Sequence, residues 1–391
     1  MANILCVWEM GGNLGHLANL KPFVDSALAH KHKVTLAAKE IRHLDIFFKG
    51  YDIELFQAPY HFRQPSTRFN PLQSYSQLIL QRFETESELA SLFSAWQSIF
   101  KAVEPDVVVY DFSPSALISS LGQPWQKWVI GNGFFVPRCD LEYLGLFPGI
   151  RKTAANQKTL AAAEQLLLEQ VNSVLLRKER PSINDPKEIY QQAHHELLLT
   201  PSELDHFGPR KGVEYLGIAL KNTGTAPVWN QQGALKAFGY LAHFKGIEAL
   251  FDELLRQDVN LCIYSRNLPP EIISKYPEIV FIAEPVHLAR VAEEADFAIT
   301  MGNFSTVTEF FLNGLPQLLI PMFQEQYYLS RRIMDAKKGV LMGLTMKDPA
   351  PPVTEIIKLS RNGKFPIDED YRAAMTGKLL EQRLNELFSS I

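Results

Sequence analysis

Short apolar runs alternate with stretches of helical spacing along both halves of the 391-residue chain. In the first half, apolar runs at 4–7, 34–38 and 107–110 are separated by segments whose apolar residues recur every third or fourth position. The same alternation runs from 237 to 320 in the second half. Strands that alternate with helices build parallel sheets covered by helices on both faces. The sequence therefore predicts an α/β fold of two doubly wound domains, with a ligand cleft between them at the carboxyl ends of the strands.

A segment rich in glycine, proline, threonine and asparagine separates the two halves. Because these residues interrupt regular structure, we predict an N-terminal domain at 1–217, a linker at 218–232 and a C-terminal domain at 233–391. The tail from Asp370 to Phe388 has amphipathic spacing, which predicts a last helix. Packing of this helix back onto the N-terminal domain is one arrangement that the spacing allows.

Charge and cysteine content exclude several classes of function. The chain carries 39 Lys and Arg residues against 43 Asp and Glu residues, a formal net charge of -4, so we expect no nucleic-acid partner. Its three widely spaced cysteines exclude a disulfide framework and a CxxC zinc site. No apolar stretch reaches the roughly 18 residues of a membrane span and the N-terminus lacks the basic region of a signal peptide, so we expect a cytoplasmic protein. Peripheral membrane contact and the oligomeric state stay open.

A glycine-rich turn and a histidine follow the first apolar run. The turn carries Gly11, Gly12 and Gly15; His16 follows it, and Asp111 ends a later run. Both side chains would lie at carboxyl ends of parallel strands, where a carboxylate can orient an imidazole and raise its basicity. We therefore predict that His16 takes a proton from a hydroxyl with the support of Asp111. A helix-capping histidine and a turn aspartate are the alternatives for these two residues.

A dinucleotide-binding fingerprint is the weaker interpretation of the same glycines. The full G-x-G-x-x-G spacing is absent, because only Gly12 and Gly15 have the required separation. In addition, Lys39 follows the second apolar run, where such a site needs an acidic residue for the ribose, and Glu40 comes late.

The most specific pattern lies between residues 300 and 326, where an apolar run ends in a short polar turn that leads into a helix. Its candidate ligand-binding residues are Gly302, Asn303, Ser305, Thr306 and Glu309. Free N–H groups at the helix start favour a phosphate, and the carboxylate can accept two ribose hydroxyls. A capping box formed by Thr306 and Glu309 explains these two residues equally well. It does not explain Pro321 with Glu325 and Gln326. Gly314 and Pro316 are expected to end the helix.

These motifs resemble those of the UDP-glycosyltransferase-like family of GT-B glycosyltransferases. That family's donor motif reads approximately H-x-G-x-[GN]-[ST]-x-x-E, then G-x-P, then P-x-x-x-[DE]-Q. The matching residues here are Ser305, Thr306, Glu309, Gly314, Pro316, Pro321, Glu325 and Gln326. Gly15-His16 resembles the family's Gly-His, and the run that ends at Asp111 resembles the strand that supplies its carboxylate partner. Met301 departs from the pattern, since it stands where the family has a phosphate-contacting histidine, and Asn303 stands where a glycine is common.

The resemblance implies a GT-B architecture: two doubly wound Rossmann-like domains facing a central cleft, with the acceptor in the first and the nucleotide sugar in the second. It implies that His16 is the catalytic base and Asp111 its partner. In the second domain, it implies that Ser305 and Thr306 lie near the diphosphate and that Glu309 holds the ribose.

The same resemblance implies that Glu325 and Gln326 contact the sugar and that His287 lines the pocket for the nucleotide base. The acceptor is less defined. Phe134, Phe135 and Phe147 either line an apolar acceptor pocket or belong to the core, and a small molecule or a lipid would fit such a pocket.

The expected activity is an inverting, metal-independent transfer of a sugar from a uridine or thymidine diphosphate sugar to an acceptor hydroxyl, without a cofactor. A catalytically inactive GT-B pseudo-enzyme or partner protein is the first alternative, and Met301 is its main support. A sugar-nucleotide epimerase, which needs no acceptor, is the second. The acidic run Asp368-Glu369-Asp370 is interpreted as charge at a helix start rather than as a metal site.

Overall fold

The computed structural model describes residues 1–12, 14–61, 71–219, 223–230 and 235–391. Within these residues the chain divides into two compact units. The first comprises Met1–Leu199, Arg210–Ala219 and Leu379–Ile391; the second comprises Thr200–Pro209 and Leu220–Lys378. Residues 220–222 and 231–232 of the predicted linker lie outside the described residues. The segment 200–209 groups with the second unit although it precedes that linker in sequence.

The first unit is built on a parallel sheet. Its strands are β1 (Asn3–Trp8), β2 (Lys33–Ala38), β3 (Glu54–Gln57), β4 (Val107–Asp111), β5 (Gln126–Gly131), β6 (His195–Leu198) and β7 (Glu214–Tyr215). In the described residues their order is β3-β2-β1-β4-β5-β6-β7, and every pairing is parallel. The register pairs Trp8 at the end of β1 with Asp111 at the end of β4. These two strand ends lie at the point where the strand order reverses, which is where doubly wound folds bind ligands.

Helices cover the first sheet. They are α1 (Gly15–Ala29), α2 (Asp45–Phe48), α3 (Tyr75–Leu80), α4 (Glu86–Val103), α5 (Pro114–Ser119), α6 (Ala154–Arg177) and α7 (Glu188–Gln191). The apolar residues of α1 that have helical spacing, from Leu17 to Ala27, are buried in the core beneath the sheet, even though Pro22 lies inside the helix. The sequence pattern thus predicts correctly which face of α1 is buried.

The second unit repeats the plan. Its strands are β8 (Leu235–Tyr240), β9 (Val259–Tyr264), β10 (Val280–Ile282), β11 (Phe297–Thr300), β12 (Gln317–Leu319) and β13 (Gly339–Leu341). In the described residues their order is β10-β9-β8-β11-β12-β13, again with parallel pairing throughout. Its helices are α8 (Ile247–Arg256), α9 (Pro270–Lys275), α10 (Leu288–Glu294), α11 (Phe304–Leu312), α12 (Gln324–Asp335), α13 (Ala350–Ser360) and α14 (Glu369–Ala373). Both units are therefore doubly wound, as the sequence predicts.

The tail is not the single helix that its spacing predicts. After α14 the backbone passes through a turn in which Gly377 has φ +118°, and α15 (Leu379–Ser389) follows. The prediction of one helix over Asp370 to Phe388 is wrong because a left-handed residue interrupts it. In the first unit, α15 buries Leu384 in the core, and Arg383 binds the carboxylate of Glu214 through two nitrogens at 2.6 and 3.0 Å.

Candidate active site

A histidine and an aspartate from different elements meet in the first unit. His16 is the second residue of α1, and Asp111 is the last residue of β4. His16 Nδ1 lies 2.9 Å from Asp111 Oδ2, and the two residues are 4% and 0% exposed. With the carboxylate ionised, Nδ1 carries the proton and donates it to this bond. Nε2 is then the ring nitrogen that can take up a proton from another group.

Aromatic rings hold this imidazole in place. The ring of Trp8 stacks on it with centroids 5.1 Å apart, and the rings of Phe112 and Phe135 lie at 5.9 and 4.9 Å. Packing against three rings leaves the imidazole little freedom to rotate. The rings also exclude water, so the charge of Asp111 acts on the imidazole more strongly than it would in solvent.

The second carboxylate oxygen of Asp111 is buried and has no hydrogen-bond partner among the described residues. The other oxygen of Asp111, Oδ2, also lies 3.5 Å from the amide nitrogen of Asn19. A buried carboxylate with so few donors favours a positively charged neighbour.

Gly11 makes room for the free nitrogen of His16. Its φ is +77°, and a Cβ at this position would lie 2.4 Å from His16 Nε2. Any side chain would therefore fill the space in front of that nitrogen. The carbonyl of Gly11 accepts a hydrogen bond from Lys39 Nζ, which also lies 5.1 Å from the ring centre of Tyr60. Burial lowers the pKa of Lys39.

The three candidate acceptor phenylalanines separate into two groups. Phe135 is half-buried and contacts His16, so the structure brings it to the site. Phe134 and Phe147 are 6% and 1% exposed, and their rings stack with centroids 5.6 Å apart. These two side chains belong to the packed interior.

In the second unit, the turn after β11 closes tightly on the start of α12. Gly302 has φ +83°, and a Cβ there would lie 3.0 Å from the Cβ of Gln326. Asn303 is the N-cap residue of α11, yet its side chain makes no capping bond in the described structure. Its Oδ1 instead accepts from Gln326 Nε2 at 3.0 Å. The first N–H groups of α11 are thus not capped by Asn303, which suits them to bind an anion.

The structure contradicts the capping box. Because α11 begins at Phe304, Thr306 is already its third residue and is buried, whereas Ser305 is exposed. The carboxylate of Glu309 accepts from Asn313 Nδ2 at 3.0 Å. The interpretation of Thr306 and Glu309 as a capping pair is therefore wrong, since the helix starts three residues earlier than that interpretation requires.

Glu309 is buried among groups that favour its charge. Burial raises its pKa, whereas the hydrogen bond from Asn313 and the charges of His287 and Arg372 lower it. Arg372 also donates to Asn313 Oδ1 at 3.0 Å. His287, the N-cap of α10, accepts from the N–H of Arg290 at 3.3 Å. The structure thus brings two of the predicted residues, Glu309 and His287, close together.

Glu325 and Gln326 have different surroundings. Gln326 Oε1 accepts from the N–H groups of Met322 and Phe323 at 2.9 and 3.3 Å, so its amide ties the turn before α12 together. Glu325 Oε1 lies 3.2 Å from His206 Nε2. Met301 is 3% exposed and packs in the core of the second unit, so its thioether is a core group rather than part of the turn's polar lining.

The acidic run before α14 behaves as a helix start. Asp368 is the N-cap of α14, and its side chain accepts from the N–H of Tyr371 at 2.7 Å. Among the described residues there is no group of three His, Cys, Asp or Glu side chains arranged to hold a metal ion. None of the helices in the described ranges is long and apolar enough to cross a membrane.

Solved structures match this fold over nearly the whole chain. The calicheamicin glycosyltransferase CalG4 matches with a TM-score of 0.68 at 15% identity, over 100% of this chain and 98% of its own. The spinosyn rhamnosyltransferase SpnG, complexed with thymidine diphosphate, matches with a TM-score of 0.57 at 17% identity, over 100% and 96%. SnogD from Streptomyces nogalater matches with a TM-score of 0.54 at 14% identity, over 99% and 94%. This chain has the fold of these glycosyltransferases.

The shared feature at these identities is the GT-B fold, with its two Rossmann-like units in one chain. No protein-family model and no curated protein matches the sequence. The functional argument therefore depends on the geometry of the site residues.

The sequence pattern alone does not assign a functional role to four residues of these sites: Lys39, His206, Asn313 and Arg372. Lys39 carries a weak signal, because it is a basic residue at the carboxyl end of a strand. Asn313 is one helical turn after Glu309, a spacing that places two side chains on one face. His206 and Arg372 lie 119 and 59 residues from their partners, so no local pattern connects them.

Proposed function

We propose that this protein is an inverting, metal-independent glycosyltransferase that moves a sugar from a nucleoside diphosphate sugar to an acceptor hydroxyl. The observation that carries the proposal is the buried pair of His16 and Asp111, joined at 2.9 Å within a fold shared with glycosyltransferases. A histidine oriented by a carboxylate is suited to remove a proton from a hydroxyl near neutral pH. This pair also favours an active enzyme over the alternative of an inactive pseudo-enzyme.

The proposed reaction begins when the acceptor hydroxyl gives its proton to His16 Nε2. The acceptor oxygen then forms a bond to the anomeric carbon on the face opposite the diphosphate. The bond between that carbon and the diphosphate oxygen breaks, its electron pair leaves with the diphosphate, and the configuration inverts. Asp111 stabilises the resulting imidazolium without taking the proton itself.

The proposed donor site begins at the start of α11. Its N–H groups, with Ser305 and Thr306, would bind the diphosphate and stabilise the charge that develops as the diphosphate leaves. Glu309 would accept the ribose hydroxyls, and His287 would lie against the nucleotide base. The likeness to SpnG, which was solved with thymidine diphosphate, supports a nucleoside diphosphate as the ligand.

The proposed acceptor is a small molecule with an apolar portion. Phe135 and the rings around His16 offer an apolar surface next to the nitrogen that would act as base. The likeness to SpnG, which was also solved with spinosyn aglycone, supports a small-molecule acceptor.

Replacement of the proposed base tests the function directly. His16→Ala should lower the transfer rate by about 10²- to 10⁴-fold, the usual contribution of a general base, and should leave nucleotide affinity unchanged. His30→Ala is the matched control, because His30 caps the opposite end of the same helix. Transfer by the His16 variant at the parent rate, measured with purified protein and nucleotide sugar, would remove His16 from the mechanism.

A chelator tests metal independence. If N–H groups and hydroxyls stabilise the leaving diphosphate, the transfer rate should be the same with and without EDTA. Loss of activity that magnesium or manganese restores would contradict this part of the proposal.

A further inference from the structure

The segment Thr200–Pro209 is fixed on the second unit, to which it belongs. Within it, residues Ser202–Leu204 form a turn of 3-10 helix. The backbone carbonyl of Glu203 accepts from Arg332 Nε at 3.0 Å, and its carboxylate accepts from the hydroxyl of Tyr371 at 2.6 Å. These contacts fix the segment on the second unit three residues before His206.

His206 contacts both helices that carry the donor motif. It is 1% exposed, and its ring stacks on that of Phe304, the first residue of α11, with centroids 6.1 Å apart. Its Nε2 lies 3.2 Å from Oε1 of Glu325, the second residue of α12. With the carboxylate ionised, Nε2 donates to it. The buried ring of His206 thus contacts both the helix start proposed for the diphosphate and the carboxylate of Glu325.

Glu325 and Gln326, which are adjacent at the start of α12, make different contacts. The oxygen of the Gln326 amide is occupied by two backbone N–H groups, and its nitrogen donates to Asn303. The Glu325 side chain is 23% exposed, and a carboxylate can accept about four hydrogen bonds. The bond from His206 uses one of these positions. Gln326 therefore ties the turn together, and the Glu325 side chain is partly exposed to solvent.

We propose that His206 is the positioning residue that holds the Glu325 carboxylate against the sugar of the nucleotide-sugar donor. The inference rests on the proposed function, because it assumes a donor at the start of α11. A glutamate loses considerable side-chain entropy when it is held in one conformation. The bond from a buried imidazole orders it before the donor arrives, so less of the binding energy is lost on ordering.

The test compares a nucleotide with its sugar conjugate. Dissociation constants for UDP, UDP-glucose, TDP and TDP-glucose are measured by calorimetry on the parent, His206→Phe and His206→Gln. Phenylalanine keeps a ring to stack on Phe304 but has no N–H group, whereas glutamine keeps an N–H donor. His206→Phe should weaken binding of the sugar conjugate by about tenfold and leave binding of the nucleotide unchanged, and His206→Gln should restore most of the loss.

A variant of Glu325, the double variant of Glu325 and His206, and a control complete the test. Glu325→Ala should weaken sugar-conjugate binding as His206→Phe does, and the double variant should lose no more than either single variant, because the two side chains act as one unit. His243→Phe replaces an exposed histidine of the same unit and should change neither affinity.

Two results would overturn the inference while the proposed function stands. One is a ratio of nucleotide to sugar-conjugate affinity that is the same in the parent and in both His206 variants. The other is an equal loss of both affinities in His206→Gln, which would make the residue a structural support of α11. If the parent binds none of the four ligands, the proposed function fails together with the inference. If the parent binds these ligands but transfers no sugar, only the proposed reaction is contradicted, because the binding measurements do not require an acceptor.

Discussion

The two sheets share one strand order over six of their strands, yet their carboxyl edges carry different chemical groups. At the end of β1 and β4 in the first unit, Trp8 and Asp111 are register partners, and they hold His16 between a ring and a carboxylate. At the equivalent register position of the second unit, Tyr240 pairs with Thr300. There the following turn is closed by amides, and a helix start presents N–H groups. The topology sets where a ligand site forms, and the residues of the loops decide its chemistry.

This difference means that the two edges can be disabled separately. The carboxyl edge in the first unit depends on one ionisable pair shielded by aromatic rings. A substitution that changes the charge of this pair or fills the space beside it should therefore alter the rate of transfer. The second depends on N–H groups and a buried carboxylate, so changes there should alter nucleotide affinity. The following predictions test that separation.

Gly11→Ala should have the largest effect. The added Cβ would lie 2.4 Å from His16 Nε2, and the backbone φ of +77° disfavours any side chain. Because the methyl group would occupy the position proposed for the acceptor hydroxyl, transfer should fall about as far as in His16→Ala, by 10²-fold or more. Nucleotide affinity should stay at the parent value.

Gly12→Ala is the control for this experiment. A Cβ at Gly12 meets no described atom within 4 Å, and its φ is not positive. Transfer rates of the two alanine variants, measured beside their thermal unfolding, separate a local block from a loosened loop. Equal rates in the two variants would contradict the role given to the space at Gly11.

Asp111→Asn should have a smaller effect, about 10- to 100-fold on the transfer rate, the usual effect of removing the group that orients a histidine. The amide keeps the shape of the carboxylate but not the charge that stabilises the imidazolium. Asp106→Asn is the matched control, because Asp106 precedes the opposite end of β4 and accepts from the N–H of Asn3 at 2.8 Å. A large fall in melting temperature with normal specific activity would make Asp111 a structural residue.

Glu309→Gln should have the smallest effect and should act on the second edge alone. Glutamine keeps an oxygen that can accept from Asn313, so the melting temperature should hardly change. Nucleotide affinity should fall by about 1 kcal/mol, since a neutral oxygen accepts ribose hydroxyls less well than a carboxylate. A 2′,3′-dideoxy nucleotide should bind the parent and the variant equally. Glu355→Gln, an exposed glutamate of α13, is the control.

The raised pKa of Glu309 predicts that nucleotide affinity depends on pH. Burial raises the pKa of Glu309, and the ionised form accepts hydrogen bonds from hydroxyls more strongly than the protonated form does. Nucleotide affinity should therefore be complete above the raised pKa and should decline as the pH falls through it, beginning above the ordinary range of glutamate. Calorimetric titration of the parent across this range should show the decline, and Glu309→Gln should not. A pH-independent affinity in the parent would mean that Glu309 does not bind the ribose.

Sequence periodicity predicts the sheets well because both sheets are parallel and buried. The pairing of His16 with Asp111 could be predicted, since carboxyl ends of neighbouring parallel strands meet at one edge. The end of α11 was also predictable: Gly314 has φ +69° just after the helix, as a glycine at this position should.

The remaining features depend on contacts between residues that are distant in the sequence. The start of α11 could not be predicted, because Asn303 is engaged by Gln326 instead of capping the helix with its own side chain. The spacing does not reveal β5 either, since Lys127 gives that strand a polar residue that is only 4% exposed in the structure. The support of Glu325 by His206 joins residues 119 positions apart.

The return of α15 to the first unit has a consequence for how the protein folds during synthesis. Leu384 and Phe388 belong to the same buried core as the residues of β1, which are translated before the whole second unit. The first unit therefore cannot complete its core until the entire second unit has been translated. At about 5 to 20 residues per second, the roughly 160 residues from 220 to 378 delay this closure by about 8 to 30 seconds. During that interval the surface that α15 will cover is exposed to chaperones and to other nascent chains.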